Sequence, residues 1–317
     1  MILPIIHQIT LPTPFLVGPV HSYLIVTDTV TLVDAGPKTE EAWQSLEEQL
    51  KELGYKPENI DQVILTHHHP DHVGLAARLQ KHARLIGHPY LKPWLGKEKA
   101  FFEQYVSFFH SFYEEHGLSL KKMEQVRMTN RVYMKYVEKA SIDLEVRDGD
   151  SILSLPGWIV YEVPGHAQSH IMLVHHETGT AIGGDVLLAK ISSNAILEAP
   201  YNGFSRPKTL LQYRYSLRKL SDMNIQRLYP GHGPVIENVN ELVEERLKGH
   251  EKRAAVIKKI IERKKMTASQ ICEQLFPDMH EKQPELTFSE TFGHLDFLME
   301  KQEISSIKHG SKTFFTV

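Results

Sequence analysis

Thr66-His67-His68-His69-Pro70-Asp71-His72 packs four imidazoles and a carboxylate into seven residues. Imidazole and carboxylate together suit Zn²⁺, and also iron or manganese. The run directly follows Val63-Ile64-Leu65, which is short, apolar and bounded, as a buried strand would be. In an extended segment residues two apart face the same side, so His67 and His69 can grip one ion. Asp71 and His72 fall where the chain turns into the next helix and can face a second ion. Alternation points His68 away from both, and it is assigned no ligand role. Four ligands do not complete two sites, so more must arrive from elsewhere. Three glycine-bearing loops that end strand-like runs are the candidates: Val163-Pro164-Gly165-His166, Ile182-Gly183-Gly184-Asp185 and Tyr229-Pro230-Gly231-His232-Gly233. A glycine beside a ligand lets the backbone turn sharply and come close to an ion.

The elements that must position these residues follow from periodicity. Ser22–Thr27 and Val30–Val33 read as a hairpin around Asp28. Thr39 caps a helix running to about Leu53, with Trp43, Leu46 and Leu50 on one face and Gly54 as its stop. Val73–His82 reads as helix and Arg84–Ile86 as strand. From about residue 97 to 139 the texture is helical, a helical insertion. Within it Phe101, Phe102, Tyr105, Phe108, Phe109, Phe112 and Tyr113 fall on one helical stripe. That stripe either packs on the core or forms a lid whose aromatic face lines the site and favours an apolar or acyl-bearing substrate. Strands are expected at Ile142–Val146, Ser151–Leu155, Trp158–Val163, Ile171–His175, Thr180–Ile182 and Gln226–Tyr229, with a helix over Lys208–Leu220. A long helix from Glu237 to about Lys265 opens a second domain near residue 240. Helices at Ala268–Phe276 and Ser289–Gln302 and two strands around His309-Gly310 complete it. Two strand-rich halves flanked by helices imply a layered α/β fold.

Composition excludes other classes. The 317 residues are 41% hydrophobic and 24% charged, which rules out a disordered chain. The net charge of −3 gives no general pull toward nucleic acid or anionic membrane. Cys272, the single cysteine, can form neither an internal disulfide nor a thiolate metal site alone. Met1–Val20 lacks Lys and Arg and is broken by Pro4, Pro12 and Pro14, unlike a signal peptide, and no apolar run is long enough to span a bilayer. A soluble cytoplasmic protein is expected.

The tetrad and the three loops together resemble the metallo-β-lactamase superfamily, the αββα sandwich hydrolases. The match covers roughly residues 1–240 and includes Val33-Asp34-Ala35-Gly36, which in the family supports the site without ligating metal. The resemblance implies that His67, His69 and His166 hold one metal, that Asp71, His72 and His232 hold the other, and that Asp185 bridges them. Two divalent ions are implied, zinc first and manganese or iron as alternatives. Their shared hydroxide would cleave a small ester, thioester or lactone, with Asp71 orienting it and Asp185 offsetting the two charges. Several relatives fit less well. The diiron redox branch carries Glu where this chain has His69, and acyl-homoserine lactonases carry Tyr where it has Leu188. The tail does not match the thiol-binding region of glyoxalase II. Persulfide dioxygenases, with one iron and a subset of these ligands, stay as an alternative.

The tail resembles the small winged-helix-like domain of the β-lactamase-like protein 2 group and its bacterial relatives, on Gly293-His294-Leu295-x-Phe297-Leu298 followed by a hairpin. That group includes an RNA endonuclease, so a metal-dependent RNA endonuclease is an alternative, as is a non-catalytic nucleic-acid-binding regulator. Charge opposes both. Residues 251–317 carry eleven Lys/Arg and ten Asp/Glu, and the would-be recognition helix Ser289–Gln302 has Glu290, Asp296 and Glu300 against Lys301. The basic run Lys258, Lys259, Arg263, Lys264 and Lys265 reads as a solvated helix face. The tail is therefore expected to pack on the catalytic domain and to support a homodimer, with Cys272 a buried thiol. Tyr201, Arg206 and Lys190, in loops after Asp185, are weaker candidates for contacting substrate anions.

Overall fold

Alternation along the strands builds three stacked cores in the computed structural model, which describes residues 5–201, 203 and 205–317. The first four residues of the Met1–Val20 stretch lie outside the described residues. One sheet runs in the order β1 (Ile5–Leu11), β2 (Val20–Val26), β3 (Val30–Val33), β4 (Gln62–Leu65), β5 (Arg84–Gly87) and β6 (Leu144–Glu145). Its first three strands pair antiparallel and the rest parallel. The second sheet contains β7 (Trp158–Glu162), β8 (Ile171–His175), β9 (Thr180–Gly184) and β10 (Arg227–Pro230). Its pairings are antiparallel except β9 with β10. A final hairpin pairs β11 (Ser305–His309) with β12 (Lys312–Thr316).

Side chains two apart separate by layer, as the pleat demands. Tyr23, Val33, Ile64 and Ile86 from the first sheet meet Trp158, Val160, Ile171, Leu173 and Ile182 from the second. Their neighbours Leu24, Leu32, Val63, Leu65 and Leu85 face the opposite way, under helix α1 (Glu40–Glu52). Met172, Val174 and Ala181 face outward from the second sheet into a third core. The order of layers is helix, sheet, sheet, helix.

Helix α1 is capped as its sequence predicts, with the Thr39 hydroxyl accepting from Ala42 N and with Ala42, Trp43, Leu46 and Leu50 buried. The helix expected over Val73–His82 differs. It starts earlier and is broken into α2 (Pro70–Val73) and α3 (Ala76–Leu79). At the break, Leu75 N donates 3.1 Å to Gly36 O instead of to its own helix. A Cβ on Gly74 would collide with the backbone of Lys38 and Tyr136, so only glycine lets the two segments meet. The strand expected at Ser151–Leu155 is a turn with one bridge from Ser151 to Ile159. Pro156-Gly157 ends the segment before it can pair further.

The expected helical insertion forms α5 (Lys99–Glu115) and α6 (Leu120–Tyr133), preceded by the short α4 (Lys92–Leu95). Helix α7 (Thr209–Asp222) crosses between β9 and β10. The chain then continues into α8 (Val239–Ile261), α9 (Ala268–Leu275) and α10 (Pro284–Glu300). The third core runs without a break from Met172 and Val174 through Leu210 and Leu217 of α7 to Ile257, Phe288, Phe292, Leu295 and Phe315. Helix α10 is enclosed, with Phe288, Phe292, Leu295, Asp296 and Leu298 all buried. Cys272 is buried as expected. Among the described residues no helix is long and apolar enough to cross a membrane.

Candidate metal centre

Every expected ligand leaves one end of a strand or the helix next to it. His67 and His69 follow β4, and Asp71 and His72 form the first turn of α2. His166, Asp185 and His232 follow β7, β9 and β10. The parallel pairs set this register. Asp34, ending β3, receives Thr66 N at 2.8 Å, and Gly231 N donates 2.7 Å to Gly184 O. Ile171 N donates 2.8 Å to Thr66 O and so fastens one sheet to the other beside the ligands. A Cβ on Gly231 would strike the Asp185 carboxylate and the His72 ring. Gly184 has φ +49°, a left-handed conformation that glycine adopts without cost.

All seven residues converge. His69 Nδ1 lies 3.0 Å from His67 Nε2 and 2.9 Å from His166 Nε2. On the other side, His232 Nε2 is 3.3 Å from Asp71 Oδ2. Asp185 faces both groups, 3.4 Å from His72 Nε2, 3.6 Å from His232 Nε2 and 3.7 Å from His166 Nε2. Among the described residues three sets have donor atoms close enough to share one ion: His67-His69-His166, His67-His72-Asp185 and Asp71-His72-His232.

Hydrogen bonds at the rear of the rings decide which nitrogen faces inward. The Asn194 carbonyl can only accept, so His166 Nδ1, 2.9 Å away, carries a proton and Nε2 is left with its lone pair. Pro19 O does the same for His232 Nδ1 at 2.7 Å, and the Asp34 carboxylate does it for His72 Nδ1 at 2.7 Å. Asp34 also accepts from Thr66 Oγ1 at 2.8 Å, and that hydroxyl lies 3.0 Å from His67 Nδ1. One carboxylate thus orients a histidine on each side of the centre. Asp34 holds φ 62°, a conformation Asp tolerates better than most residues.

Lone pairs aimed at one another are costly unless something sits between them. His72 Nε2, His232 Nε2 and Asp185 Oδ1 are buried without a hydrogen-bond partner. Tetrahedral zinc with about 2.05 Å bonds to nitrogen needs ligand atoms about 3.4 Å apart, close to the 2.9–3.7 Å found here. The donor set therefore fits divalent metal. Electrostatics agree with it. Burial, then the adjoining imidazoles, push His67 and His69 well below the usual histidine range, keeping them neutral. Burial works against ionised Asp185, yet His232 and His72 hold its carboxyl well below the usual range. Burial would lower His72 and His232, but the surrounding carboxylates, Asp185 first, raise both, so in the metal-free centre these two rings hold protons that a bound ion would displace.

His68 turns away as alternation demands. Its ring stacks on Trp94, 4.2 Å between centroids and 7° from parallel, and its Nδ1 meets Ser169 Oγ at 2.9 Å. The aromatic helix α5 packs against its neighbours, the first of the two roles expected of it. Phe101, Phe102 and Tyr105 surround Trp94 edge-on at 5.2–5.4 Å. Phe109 and Tyr113 are buried in the third core, and Phe112 packs on Phe292 of α10. Of the anion-contact candidates, Arg206 is committed to Asp296 through two 2.7 Å hydrogen bonds and Tyr201 to Glu198 at 2.8 Å, while Lys190 is exposed.

Sequence reasoning passed over His170, whose ring packs 4.7 Å from His67 and whose Nε2 accepts from Asp185 N at 3.1 Å. It also passed over Asn194 and Pro19, which act through backbone carbonyls and so leave no side-chain signal. The spacing His166-x-x-x-His170 was the one available hint.

The family model described as the metallo-beta-lactamase superfamily matches residues 16–232. A probable metallo-hydrolase of Bacillus subtilis is 41% identical over 307 residues, 97% of this chain and 96% of its own length. A beta-lactamase-like protein 2 homolog of Caenorhabditis elegans is 26% identical over 84% of this chain and 74% of its own. The crystal structure of a metallo-beta-lactamase family protein from Thermus thermophilus superposes with TM-score 0.83 at 27% identity, covering 98% of both chains. The chain belongs to the metallo-β-lactamase superfamily and is one of its metallo-hydrolases.

Proposed function

We propose that the protein hydrolyses a small ester, thioester or lactone at a dinuclear, zinc-type centre in a cytoplasmic setting. His67, His69 and His166 would hold the first ion and Asp71, His72 and His232 the second. The observation that carries this reading is Asp185, whose carboxylate stands within 3.7 Å of histidines from both sets. A mononuclear iron oxygenase needs only the first set. The buried, unpartnered nitrogens of His72 and His232 in the second favour two ions. When bound, such ions lower the pKa of a shared water toward ~7 and polarise the scissile carbonyl.

The chain's own residues supply the rest. Asp185 offsets the charge of two dications held close together. Asp71, beside His232, orients the attacking water by accepting its hydrogen bond. Asp34 and Thr66 fix the tautomers of His72 and His67 so that lone pairs face inward. Trp94, Phe101 and Tyr105 form an apolar wall beside the His68 turn, suited to an acyl group.

We read α9, α10 and the terminal hairpin as the winged-helix-like appendage. What supports a small substrate over nucleic acid is the burial of α10, the helix that would have to enter a groove. Its Asp296 is occupied by Arg206, and Lys258 of the basic run pairs with Glu303 at 3.0 Å.

Elemental analysis of the purified protein, joined to thioester, lactone and RNA hydrolysis on the same sample, tests the reading. About two zinc or manganese per chain are expected, with turnover lost on chelation and restored by metal. Asp185→Asn and His67→Ala should remain folded and inactive. One iron with no hydrolysis, or full activity in both variants, would refute it.

A further inference from the structure

Glu198 is 2% exposed in the otherwise apolar run Ala195–Ala199, and among the described residues no cation pairs with its carboxylate. A buried, unpaired carboxyl costs stability unless hydrogen bonds occupy it. Both of its oxygens are used. Oε1 accepts from Gln168 N at 2.7 Å, and Oε2 accepts from the Tyr201 hydroxyl at 2.8 Å. The Tyr201 oxygen in turn accepts from Trp94 Nε1 at 2.5 Å. Trp94 lies flat on His68, and the Ser169 hydroxyl meets both His68 N, at 3.2 Å, and His68 Nδ1, at 2.9 Å.

Ser169 adjoins Gln168, so these contacts close on themselves. The circuit runs Glu198, Tyr201, Trp94, His68, Ser169, Gln168 and back to Glu198. It threads the turn that carries His67 and His69, the turn that carries His166, the loop after Asp185, and the short helix before the helical insertion. Nothing in it faces the ions. Its members instead fix the distance between two ligand-bearing turns from different sheets, with Glu198 as the one member that receives hydrogen bonds from two of these segments.

We infer that Glu198 is a positioning residue that locks the His67–His69 turn to the His166 turn through Tyr201, Trp94 and His68. It thereby preorganises the first metal pocket and ties the aromatic wall to it. Residues outside the ligand set that orient it typically change metal affinity 10- to 100-fold. The inference rests on the metal-centre reading only for what the pocket holds. The circuit also accounts for Trp94, whose indole N–H points into the circuit while its face covers His68.

The test uses the full-length protein stripped of metal, titrated with Zn²⁺ against a chromophoric chelator and separately with Co²⁺ followed by its visible absorption. Glu198→Ala and Tyr201→Phe should weaken the tighter equivalent by about 10- to 100-fold and alter the Co²⁺ spectrum. Glu198→Gln keeps an acceptor for Gln168 N and a polar partner for Tyr201, so it should restore affinity to within about 3-fold of the parent. A general loss of stability would move Tm without this pattern of rescue. Parent-like affinity and spectra in Glu198→Ala and Tyr201→Phe would overturn the inference. So would a Glu198→Gln variant as weak as Glu198→Ala. Should Glu198→Ala not fold, Tyr201→Phe, which removes one hydroxyl, decides alone. A parent protein that binds neither ion would refute the metal centre itself, an outcome distinct from failure of the circuit.

Discussion

Replacing Glu198 by glutamine should change how stability depends on pH while leaving metal affinity close to the parent's. Burial pushes the Glu198 carboxyl from 4.5 up to about 7, against the opposing hydrogen bonds from Gln168 N and Tyr201. Between those values the folded protein keeps a proton that the unfolded chain has released. The unfolded state binds fewer protons, so this group's contribution is full below pH 4.5 and is lost as pH rises through about 7. The gap, at about 1.36 kcal/mol per pH unit, amounts to about 3 kcal/mol. Glutamine mimics the protonated acid at every pH and has no such slope. The variant should therefore gain about 2.5 kcal/mol relative to the parent between pH 5 and pH 8, part of the effect lying below pH 5. At about 2.1 cal/mol/K per residue of unfolding entropy, a chain of this size shifts about 1.5 °C per kcal/mol, so the relative gain is about 4 °C in Tm. Calorimetry of both proteins with chelator at pH 5, 6, 7 and 8 measures it. Glu285, a carboxyl in α10 that burial likewise pushes up to about 7, and the histidines of the centre titrate in both proteins and cancel in the difference. A Tm difference that stays constant across this range would refute the reasoning.

Three other perturbations follow from the geometry. Asp34→Asn retains the shape but sets an amide N–H against one of the three donors that Asp34 now accepts, so affinity for the second metal equivalent should fall about 10- to 100-fold by zinc titration. Gly231→Ala should lose metal binding while retaining native circular dichroism, because its new methyl group displaces the Asp185 carboxylate. Thr39→Ala removes the α1 cap far from the centre and should cost about 1 kcal/mol by denaturant titration, with metal content unchanged.

The His67-x-His69-x-Asp71-His72 spacing behind an apolar strand was legible, and glycine-bearing loops marked His166, Asp185 and His232, but their union into one ligand set came from the resemblance to the superfamily. Strands β4, β8 and β10 and helix α1 were legible too, with bounds shifted by a residue or two. The break at Gly74 was not, since it depends on the backbone of Lys38 and Tyr136, remote in sequence. The supporting shell was largely hidden. Carbonyls such as Pro19 O and Asn194 O carry no residue-type signature, and His170 resembles any other histidine. Glu198 did leave a trace, as a lone acid inside Ala195-Ile196-Leu197-Glu198-Ala199, but its partner Gln168 N lies on the distant His166 turn and its partner Tyr201 gave no sign of the contact.

The distribution of ligands over both sheets has a consequence for assembly. His67 through His72 exist as soon as β4 and α2 do, but His166, Asp185 and His232 come from β7, β9 and β10. Strand β10 reaches its place beside β9 only after the α7 crossover, and such long-range parallel pairing is slow to form. A chain still emerging, or one whose sheets have parted, offers a histidine-rich peptide and no cradle. Tight capture of metal at the proposed centre would thus report that the sandwich has closed, and opening it along the seam where Ile171 meets Thr66 would release it.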